Sequence, residues 1–291
     1  MKCNICPRNC GADRRDAGNG ICGMGENPVL ARAGIHKWEE PCISGERGSG
    51  TVFFSGCSLK CVFCQNYKIS TECFGKEVSV SRLREIYFKL IDQGVHNINL
   101  VNPTHFAHAV IESLQRPIPV PVVWNSGGYD KVETIRALEG KVQIYLPDMK
   151  YISSSLAEKY SAAPDYPEVA KKAIWEMFRQ VGPYEMDECG ILQKGVMIRH
   201  LVLPGEIENT MDVIDWVAET FKPGDVLFCL MSQFTPTENC GAYPEINRPL
   251  TQIEHEMAVS YLSTSGIEDG FYQDLESASE SFIPVFDLTG I

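Results

Sequence analysis

Three cysteines within eight residues constrain this chain more than any other feature. Cys57, Cys61 and Cys64 are spaced Cys-x3-Cys-x2-Cys, and they follow the apolar run Thr51-Val52-Phe53-Phe54. Soft thiolate ligands select zinc, copper(I) or iron–sulfur clusters. A structural zinc site and a [4Fe–4S] cluster both normally take four protein ligands, so three local thiolates leave one coordination position open unless a distant residue fills it. We expect an iron with such an open position to bind a small molecule directly.

Length and charge narrow the class of protein. The chain has 291 residues, enough for one large α/β barrel-type domain or two smaller domains. Its net charge of −12 disfavours non-specific nucleic-acid binding, which depends on neutralising phosphates. No apolar run approaches the ~20 residues that span a bilayer, and the first residues lack a signal-peptide core. We therefore expect a cytoplasmic protein without a membrane span, whose twelve cysteines serve metal binding more than disulfides.

A second group of cysteines lies at the N-terminus. Cys3, Cys6, Cys10 and Cys22 occur in a glycine-rich segment without hydrophobic periodicity. A segment this short cannot bury a core of its own, so a bound metal could supply the missing folding energy. A four-thiolate zinc site, an auxiliary iron–sulfur cluster and unligated thiols all fit the spacing. We predict a Cys-rich extension and connector at residues 1–49, and a barrel domain at residues 50–291.

From residue 51 onward, short apolar runs alternate with segments of helical periodicity. The strand candidates are 51–55, 97–101, 119–124, 142–146, 196–203 and 226–231. The helix candidates are 80–93, 104–115, 131–138, 153–180 (broken near Pro164 and Pro167), 209–221 and 250–264, with Ser79 or Ser81 and Asn209 as caps. Six strand–helix units demand parallel strands and right-handed crossovers. The pattern predicts an α/β fold, a partial (β/α)6 TIM-like barrel, whose C-terminal segments 270–274 and 282–286 pack across it.

Polar residues follow the predicted strands, where parallel βα architectures place their chemistry. These candidates are Asn102, Thr104, Asn125, Ser126, Asp148, Lys150, Arg199 and Gln233. Asp148 and Lys150 are two apart on an extended segment, so they point to the same side and can pair. Arg199 can bind a carboxylate through two parallel hydrogen bonds. Structural alternatives also exist, since Asp148 could end a strand, Lys150 could be solvated and Asn125 could form a turn.

The Cys-x3-Cys-x-aromatic-Cys spacing after a first strand resembles the signature of the radical S-adenosylmethionine (SAM) superfamily. The resemblance implies that Cys57, Cys61 and Cys64 hold a [4Fe–4S] cluster whose fourth iron is chelated by SAM. It further implies that one electron cleaves SAM to methionine and a 5′-deoxyadenosyl radical, which abstracts hydrogen from a substrate. Phe63 matches the aromatic residue that lies near the adenine in this superfamily.

Two further segments resemble the glycyl-radical activating enzymes, such as pyruvate formate-lyase activating enzyme. They are the arginine strand that contains Arg199 and ends in Pro204-Gly205, and Asp148-Met149-Lys150 after strand four. The whole chain, with its N-terminal Cys motif, is most similar to an uncharacterised group of pyruvate formate-lyase activating-like proteins. This resemblance implies that Asp148, Lys150 and Arg199 are catalytic and lie near SAM. The chain departs from the family after strand two, where Asn102-Pro103-Thr104 replaces Gly-Gly-Glu and removes a carboxylate for SAM's ammonium group.

The sequence therefore predicts an oxidoreductase. The expected partners are an external one-electron reductant of the flavodoxin or ferredoxin type and a substrate that is a glycine of a glycyl-radical enzyme. A different protein, peptide or small molecule is the alternative substrate. A second alternative is an iron–sulfur or zinc protein, such as an electron carrier, without SAM chemistry. A zinc hydrolase is weaker still, because no His-Glu-x-x-His pattern accompanies the cysteines.

Overall fold

The computed structural model describes residues 2–15, 18–277 and 284–291. Within these ranges the strands are β1 (Val29–His36), β2 (Ser49–Phe54), β3 (Lys76–Glu77), β4 (Ile98–Val101), β5 (Val122–Ser126), β6 (Ile144–Pro147), β7 (Glu185–Met186), β8 (Leu192–Leu201), β9 (Leu227–Met231) and β10 (Gly270–Tyr272). The helices are α1 (Pro41–Ser44), α2 (Tyr67–Ser70), α3 (Val80–Ile91), α4 (Ala107–Ser113), α5 (Val132–Arg136), α6 (Ser154–Ser161), α7 (Tyr166–Val181), α8 (Ile207–Thr220) and α9 (Gln252–Thr264). Short 3-10 helices occupy Thr104–Phe106, Glu238–Ala242 and Leu275–Ser277.

One sheet organises these elements. Its strand order is β10-β9-β8-β6-β5-β4-β2-β1-β3, and β7 pairs with β8 outside this path. All neighbours from β2 to β10 are parallel, whereas β1 runs antiparallel to β2 and to β3. Over the described residues β10 does not pair back to β3, so the sheet stays open. The predicted α/β fold with a partial TIM-like barrel is confirmed.

All six predicted barrel strands are present, as β2, β4, β5, β6, β8 and β9. The C-terminal region agrees with the prediction only in part, since Phe286 packs against Phe53 of β2 with ring centroids 5.4 Å apart, but residues 270–272 behave differently. Gly270–Tyr272 does not cross the barrel but adds a seventh parallel strand, β10, beside β9. Phe282 and Ile283 lie outside the described residues. Farther along, the Leu288 N–H donates to the Ala31 carbonyl, and the Thr289 carbonyl accepts from the Ala33 N–H, so the last residues run beside β1.

Side chains alternate between the two faces of the sheet, as the two-residue period of a strand requires. One face carries residues such as Val52, Trp124 and Tyr145, which are buried in the large hydrophobic core. The opposite face carries Val123, Ile144, Leu146, Met197 and Leu227, which form a second cluster with Cys42 and Ile43 of α1. Asn125 and Arg199 lie two residues beyond members of this second cluster, so both belong to the face that α1 covers.

Two helix starts were predicted by capping residues, with opposite outcomes. Ser79 accepts the Arg82 N–H and caps α3, as expected. Asn209 does not cap α8, because that helix begins earlier, with Glu206 at its N-cap. Asn209 is instead buried in the first turn of α8. Its Oδ1 accepts the Ile152 N–H at 2.9 Å, and its Nδ2 donates to the Lys150 carbonyl at 3.0 Å. Asn209 therefore fixes the segment that follows β6.

Candidate metal and cofactor site

The loop Cys57–Cys64, here called the cluster loop, begins three residues after β2 ends. Asn102 ties its start to the neighbouring strand end, because Asn102 Nδ2 donates to the Gly56 carbonyl at 2.6 Å. Asn102 has a φ of 57°, a left-handed conformation that asparagine tolerates better than most residues. The Val62 N–H donates to the Tyr160 carbonyl at 2.9 Å, which joins the loop to α6.

Each sulfur of the cluster loop accepts at least one hydrogen bond. The donors are the Leu59 N–H to Cys57 at 3.4 Å, Ser161 Oγ to Cys61 at 2.9 Å, and Ser70 Oγ to Cys64 at 3.3 Å. Hydrogen bonds to sulfur stabilise thiolates and set the reduction potentials of iron–sulfur clusters. Three soft donors with three such hydrogen bonds fit a [4Fe–4S] cluster.

The cluster loop is buried, and burial controls the proton affinity of its thiols. The pKa of Cys64 is raised to about 12, chiefly by burial and then by the charge of Cys61, although the hydrogen bond from Ser70 opposes the increase. Burial also raises the pKa of Cys61, and the nearby Lys150 ammonium partly offsets that increase. A metal bound here must therefore displace protons from these thiols.

Among residues 2–15, 18–277 and 284–291, no three His, Cys, Asp or Glu side chains are grouped so that they could hold one metal ion. A cubane cluster makes a different demand, since each cysteine binds its own iron corner rather than a common atom. The assignment of Cys57, Cys61 and Cys64 as cluster ligands stays a prediction. It depends on their spacing, on the sulfur hydrogen bonds and on the soft donor set.

Arg199 is the centre of a charged network beside the cluster loop. Its Nη2 donates to Asn125 Oδ1 at 2.7 Å, and its Nε donates to Asp148 Oδ1 at 3.1 Å. Its Nη1 lies 3.4 Å from Glu39 Oε2 and 3.5 Å from a carboxylate oxygen of Glu40. The Arg199 side chain is only 13% exposed, so these contacts are shielded from water.

Asp148 and Lys150 pair as predicted, with Lys150 Nζ 2.6 Å from Asp148 Oδ2. Burial alone would raise the pKa of Asp148, but Lys150 and Arg199 outweigh burial and hold it below its usual value. Burial would likewise lower the pKa of Lys150, and Asp148 reverses this so that the pKa is raised. Cys61 and Cys64 also raise the pKa of Lys150, which places this ammonium between the network and the cluster loop.

Glu39 and Glu40 were missed as candidate site residues. They lie between β1 and α1, in a stretch that the sequence marked only as a connector. The pKa of Glu39 is raised to about 7, chiefly by burial and then by the charge of Glu40, although Arg199 opposes the increase. Within the described part of the chain, Glu40 Oε2 and Asn99 Oδ1 are buried without hydrogen-bond partners, and the side-chain amide of Asn99 lies beside Glu39. Because such atoms are costly to leave unpaired, this face has hydrogen-bonding capacity for a bound polar molecule.

Thr104 and Ser126 converge on a carboxylate that the sequence analysis also missed. Thr104 Oγ1 donates to Asp130 Oδ1 at 2.7 Å, and Ser126 Oγ donates to Asp130 Oδ2. Asp130 is completely buried, and this burial raises its pKa, although both hydroxyls oppose the increase. The two hydroxyls thus already have a partner inside the protein. Their predicted contact with a cofactor stays a prediction.

Phe63 and Gln233 lie against the cluster loop. Phe63 is 5% exposed and packs against Tyr151, Tyr160 and Phe234, with ring centroids 6.2–6.5 Å apart. The Gln233 carbonyl accepts from Gln65 Nε2 at 2.8 Å. Phe63 therefore belongs to an aromatic cluster, and its predicted position near an adenine stays a prediction.

The N-terminal cysteines are brought to the same end of the sheet by two arginines. Arg8 donates to the carbonyls of Ser58 and Ser161, and Arg14 donates to the carbonyls of Gly25 and His105. Cys6 and Cys22 are buried, Cys3 is half-buried and Cys10 is exposed. All twelve cysteines of the chain are free, as expected for metal-binding or reduced thiols. In the described ranges, no helix combines the length and apolar character needed to cross a bilayer.

The fold and the site together define a class: a partial (β/α)6 barrel with a three-cysteine loop after its first parallel strand. No protein-family model matches the chain. The crystal structure of SuiB from Streptococcus suis shares the fold, with a TM-score of 0.52 and 15% identity over 77% of this chain and 49% of SuiB. SuiB bound to S-adenosylmethionine gives a TM-score of 0.50 at 15% identity, over 77% of this chain and 52% of that one. This chain thus matches about half the length of SuiB.

A curated relative extends the comparison to sequence. The uncharacterized protein MJ0674 of Methanocaldococcus jannaschii is 29% identical over 268 residues, which cover 88% of this chain and 73% of the relative. Its name states no activity. The similarity to SuiB therefore concerns the fold, and neither relative assigns a chemical reaction to this chain.

Proposed function

We propose that this protein is a radical SAM enzyme that uses a [4Fe–4S] cluster held by Cys57, Cys61 and Cys64. The observation that carries the proposal is the hydrogen bond accepted by each of the three sulfurs, on a loop that follows the first parallel strand. The spacing provides three thiolates and leaves a fourth iron open for SAM. The fold shared with SuiB, which has been solved with SAM bound, supports the same conclusion.

The residues around the loop have distinct tasks in this proposal. When bound, the reduced cluster supplies an electron that breaks a sulfur–carbon bond of SAM, giving methionine and, after hydrogen abstraction from substrate, 5′-deoxyadenosine. Arg199 and Asn125 present polar groups on the face that α1 covers, where they can orient the carboxylate or ribose of SAM. Asp148 holds both Arg199 and Lys150 in place through its two oxygens. Phe63 provides an apolar surface beside the loop, which excludes water from a reactive site.

The proposal extends to the substrate and to the electron donor. The Asp148-Met149-Lys150 segment and the strand of Arg199 resemble glycyl-radical activating enzymes, so a glycine of a partner enzyme is the proposed hydrogen donor. Another protein, a peptide or a small molecule is the alternative substrate. An external one-electron donor of the flavodoxin or ferredoxin type completes the electron balance. Free cysteines throughout the chain favour a reducing, cytoplasmic setting.

Anaerobic reconstitution with iron and sulfide, followed by dithionite and SAM, tests this function. We expect 5′-deoxyadenosine from the wild type and none from a Cys57/Cys61/Cys64→Ala triple variant. Cys189→Ala is the matched control, because Cys189 is exposed and distant in sequence from both cysteine groups. A wild type that holds a complete cluster, yet whose electron paramagnetic resonance (EPR) spectrum does not change with SAM, would contradict the proposal and favour an electron carrier.

A further inference from the structure

The barrel lumen, the space lined by the sheet face that α1 covers, contains a polar layer around Arg199. Three carboxylates contact this guanidinium, at nitrogen–oxygen distances of 3.0 Å for Asp148, 3.4 Å for Glu39 and 3.5 Å for Glu40. Lys150 pairs with Asp148 at 2.6 Å. Among these described side chains, two cations therefore face three carboxylates, and one negative charge is left uncompensated when all of them are ionised.

The two glutamates enter the lumen from its closed end. Asn97, directly before β4, donates through Nδ2 to the Ile43 carbonyl of α1 at 2.8 Å, so α1 lies near the N-terminal ends of the parallel strands. Glu39 and Glu40 immediately precede α1. The cluster loop follows the C-terminal end of β2, at the opposite end of the lumen. A molecule that enters beside the cluster loop therefore meets this polar layer at the bottom of its path.

Two acceptors of the polar layer are unsatisfied. Among the described residues, Glu40 Oε2 and Asn99 Oδ1 are buried without hydrogen-bond partners. Asn99 is completely buried, and Glu40 is 8% exposed. The Cys229 thiol lies beside Glu40, but a thiol is a weak donor without a positive charge. Because buried acceptors without partners are costly, each of them indicates a missing donor.

Asn99 places a second element at the same space as the glutamates. It lies on β4 and is paired with Val123, a member of the hydrophobic cluster that α1 covers, so its side chain points into the lumen. The side-chain amide of Asn99 lies beside Glu39, and the charge of Glu40 raises the pKa of Glu39. Acceptors from β4 and from the segment before α1 are therefore neighbours.

Open space borders the polar layer. The side chains of Glu39 and Arg199 are 10% and 13% exposed. Val123 and Ile144, which line the same lumen, are 0% exposed. The polar side chains are thus in contact with accessible volume that the apolar floor of the lumen does not share, and a bound group can reach them.

A primary ammonium group meets the requirements of this layer. It supplies one positive charge and three N–H donors on a single atom. A guanidinium spreads its donors over a rigid plane, and the layer already contains one in Arg199. An ammonium needs acceptors within hydrogen-bonding distance rather than closely convergent ligands. This distinction matters because, over the described ranges, no three His, Cys, Asp or Glu side chains are grouped to hold one metal ion.

Apolar side chains line the path between this layer and the cluster loop. Val101 lies two residues beyond Asn99 on β4, on the same face, and is paired with Phe53 of β2. Phe286 packs on Phe53 with ring centroids 5.4 Å apart. An unbranched aliphatic chain fits such walls, because its methylene groups make no hydrogen bonds and gain from leaving water. The wall thus favours an amine at the end of a hydrocarbon chain.

We propose that the polar layer binds the primary ammonium group of a substrate that carries it on an unbranched aliphatic chain, with Glu39, Glu40 and Asn99 as acceptors. The ammonium would lie at the closed end of the lumen, and the chain would extend past Val101 towards the cluster loop. The binding site is independent of the iron–sulfur cluster, whereas the assignment of its ligand as substrate rests on the proposed function. A lysine side chain of a polypeptide and a free small amine share this chemistry.

Binding of n-butylammonium, which reproduces a lysine side chain, tests the site without SAM chemistry. The probe is titrated into the wild-type chain at about pH 8, where Glu39 is ionised because its pKa is about 7. Saturation-transfer NMR of the probe measures its Kd. We expect saturable binding, and none of 1-butanol, which has a similar shape but no charge. The charged n-butyltrimethylammonium ion has no N–H donor and should bind at least about tenfold more weakly.

Glu40→Gln locates the site, with Glu46→Gln as its matched control. Glu40→Gln keeps the shape of the side chain and removes its charge and one acceptor, so the Kd of n-butylammonium should rise at least about tenfold. Glu46 is exposed, and Glu46→Gln should bind the probe as the wild type does. Asn99→Leu removes the acceptor on β4 and should also weaken binding, which gives a second measurement if Glu40→Gln does not fold.

Three results would overturn this inference. The first is an unchanged Kd of n-butylammonium in both Glu40→Gln and Asn99→Leu. The second is equal affinity for n-butylammonium and n-butyltrimethylammonium, which would indicate an attraction of charge alone. The third is displacement of the probe by SAM in the reconstituted wild type, which would assign the layer to the cofactor rather than to a substrate.

A further arm distinguishes the two sources of the amine. Nα-acetyl-lysine methylamide should bind at least about tenfold more tightly than n-butylammonium if a polypeptide supplies the lysine side chain, and more weakly if the substrate is a small amine. Absence of a cluster in the wild type would contradict the proposed function and leave the probe binding intact. A wild type whose EPR spectrum responds to SAM, yet which binds no n-butylammonium, would overturn the ammonium site alone.

Discussion

At the level of single residues, Asp130 determines what Thr104 and Ser126 are free to do. Both hydroxyls donate to its buried carboxylate. We expect Thr104→Val to lower the free energy of unfolding by about 1–3 kcal/mol, the usual contribution of a hydrogen bond to a charged group. Urea unfolding of the metal-free chain measures this effect. Thr264→Val, at an exposed position of α9, should cost less than about 0.5 kcal/mol. Equal losses in both variants would show that the Thr104 hydroxyl is available to a ligand.

Glu39 gives the molecule a pH dependence of defined sign. Its pKa is raised from 4.5 to about 7 in the folded chain, chiefly by burial and then by Glu40. Between these values the folded state binds more protons than the unfolded state, so the free energy of unfolding falls as the pH rises from about 4.5 to about 7. Glu39→Gln removes this pH dependence. Between about pH 4.5 and about pH 7, its free energy of unfolding should therefore rise by about 1–3 kcal/mol relative to that of the wild type.

Urea unfolding of the metal-free chain at about pH 5, 6 and 7.5 measures the difference between Glu39→Gln and wild type. Glu46→Gln changes an exposed residue, so its free energy of unfolding should differ from that of the wild type by the same amount at each pH. A constant difference between Glu39→Gln and wild type over this interval would mean that Glu39 stays ionised throughout.

At the level of elements, the turn after β5 depends on a glycine. Gly128 has a φ of 76°, and a Cβ atom there would lie 2.1 Å from the Asp148 carbonyl oxygen. Gly128→Ala should therefore cost the strain of a left-handed residue, about 1 kcal/mol, and a further 1–3 kcal/mol for displacing the segment after β6. Gly94 has a φ of 85° and open space around it. Gly94→Ala should therefore lower the free energy of unfolding only by the strain of a left-handed residue. Thermal and urea unfolding compare the two variants, and equal costs would refute the steric argument.

The elements predictable from sequence are those with a local signal. Apolar runs separated by helical periodicity indicated β2, β4, β5, β6, β8 and β9. Strand β10 has three residues, which is too short for alternation to appear, and only its pairing with β9 defines it. The helix predicted over 153–180 breaks at Ala162, which adopts φ 46°, while Pro167 is accommodated in the first turn of α7.

The contacts of the candidate site also fall into those that a local sequence pattern predicts and those that it does not. The Asp148–Lys150 pair was predictable because the two residues are neighbours on one extended segment. The donor to Cys61 is Ser161, 100 residues away, and the partner of Arg199 is Glu39, 160 residues away. Contacts of this range follow from how the strands associate, and a single sequence contains no local pattern for them. The cofactor roles of the strand-end residues stay predictions for the same reason.

At the level of the whole molecule, the N-terminal extension and the barrel share contacts. The sequence predicted a boundary between residues 49 and 50, and this boundary stays a prediction. Strand β1, on the extension side, is hydrogen-bonded into the barrel sheet through β2. Arg8 and Arg14 add contacts from the cysteine-rich segment to the loops at the barrel end. Such contacts favour cooperative unfolding of the two parts.

Arg14 provides the test of that cooperativity. It is 8% exposed, its Nε donates to the Gly25 carbonyl at 3.0 Å, and its Nη1 donates to the His105 carbonyl. Arg14→Ala leaves both carbonyls without these donors, so we expect a loss of about 1–3 kcal/mol. Amides of residues 2–15 should then exchange faster than those of β4 and β5, whereas Arg15→Ala should leave the wild-type pattern. If residues 2–15 kept the protection of the barrel strands in Arg14→Ala, the coupling would have to come from Arg8 and the cysteine group instead.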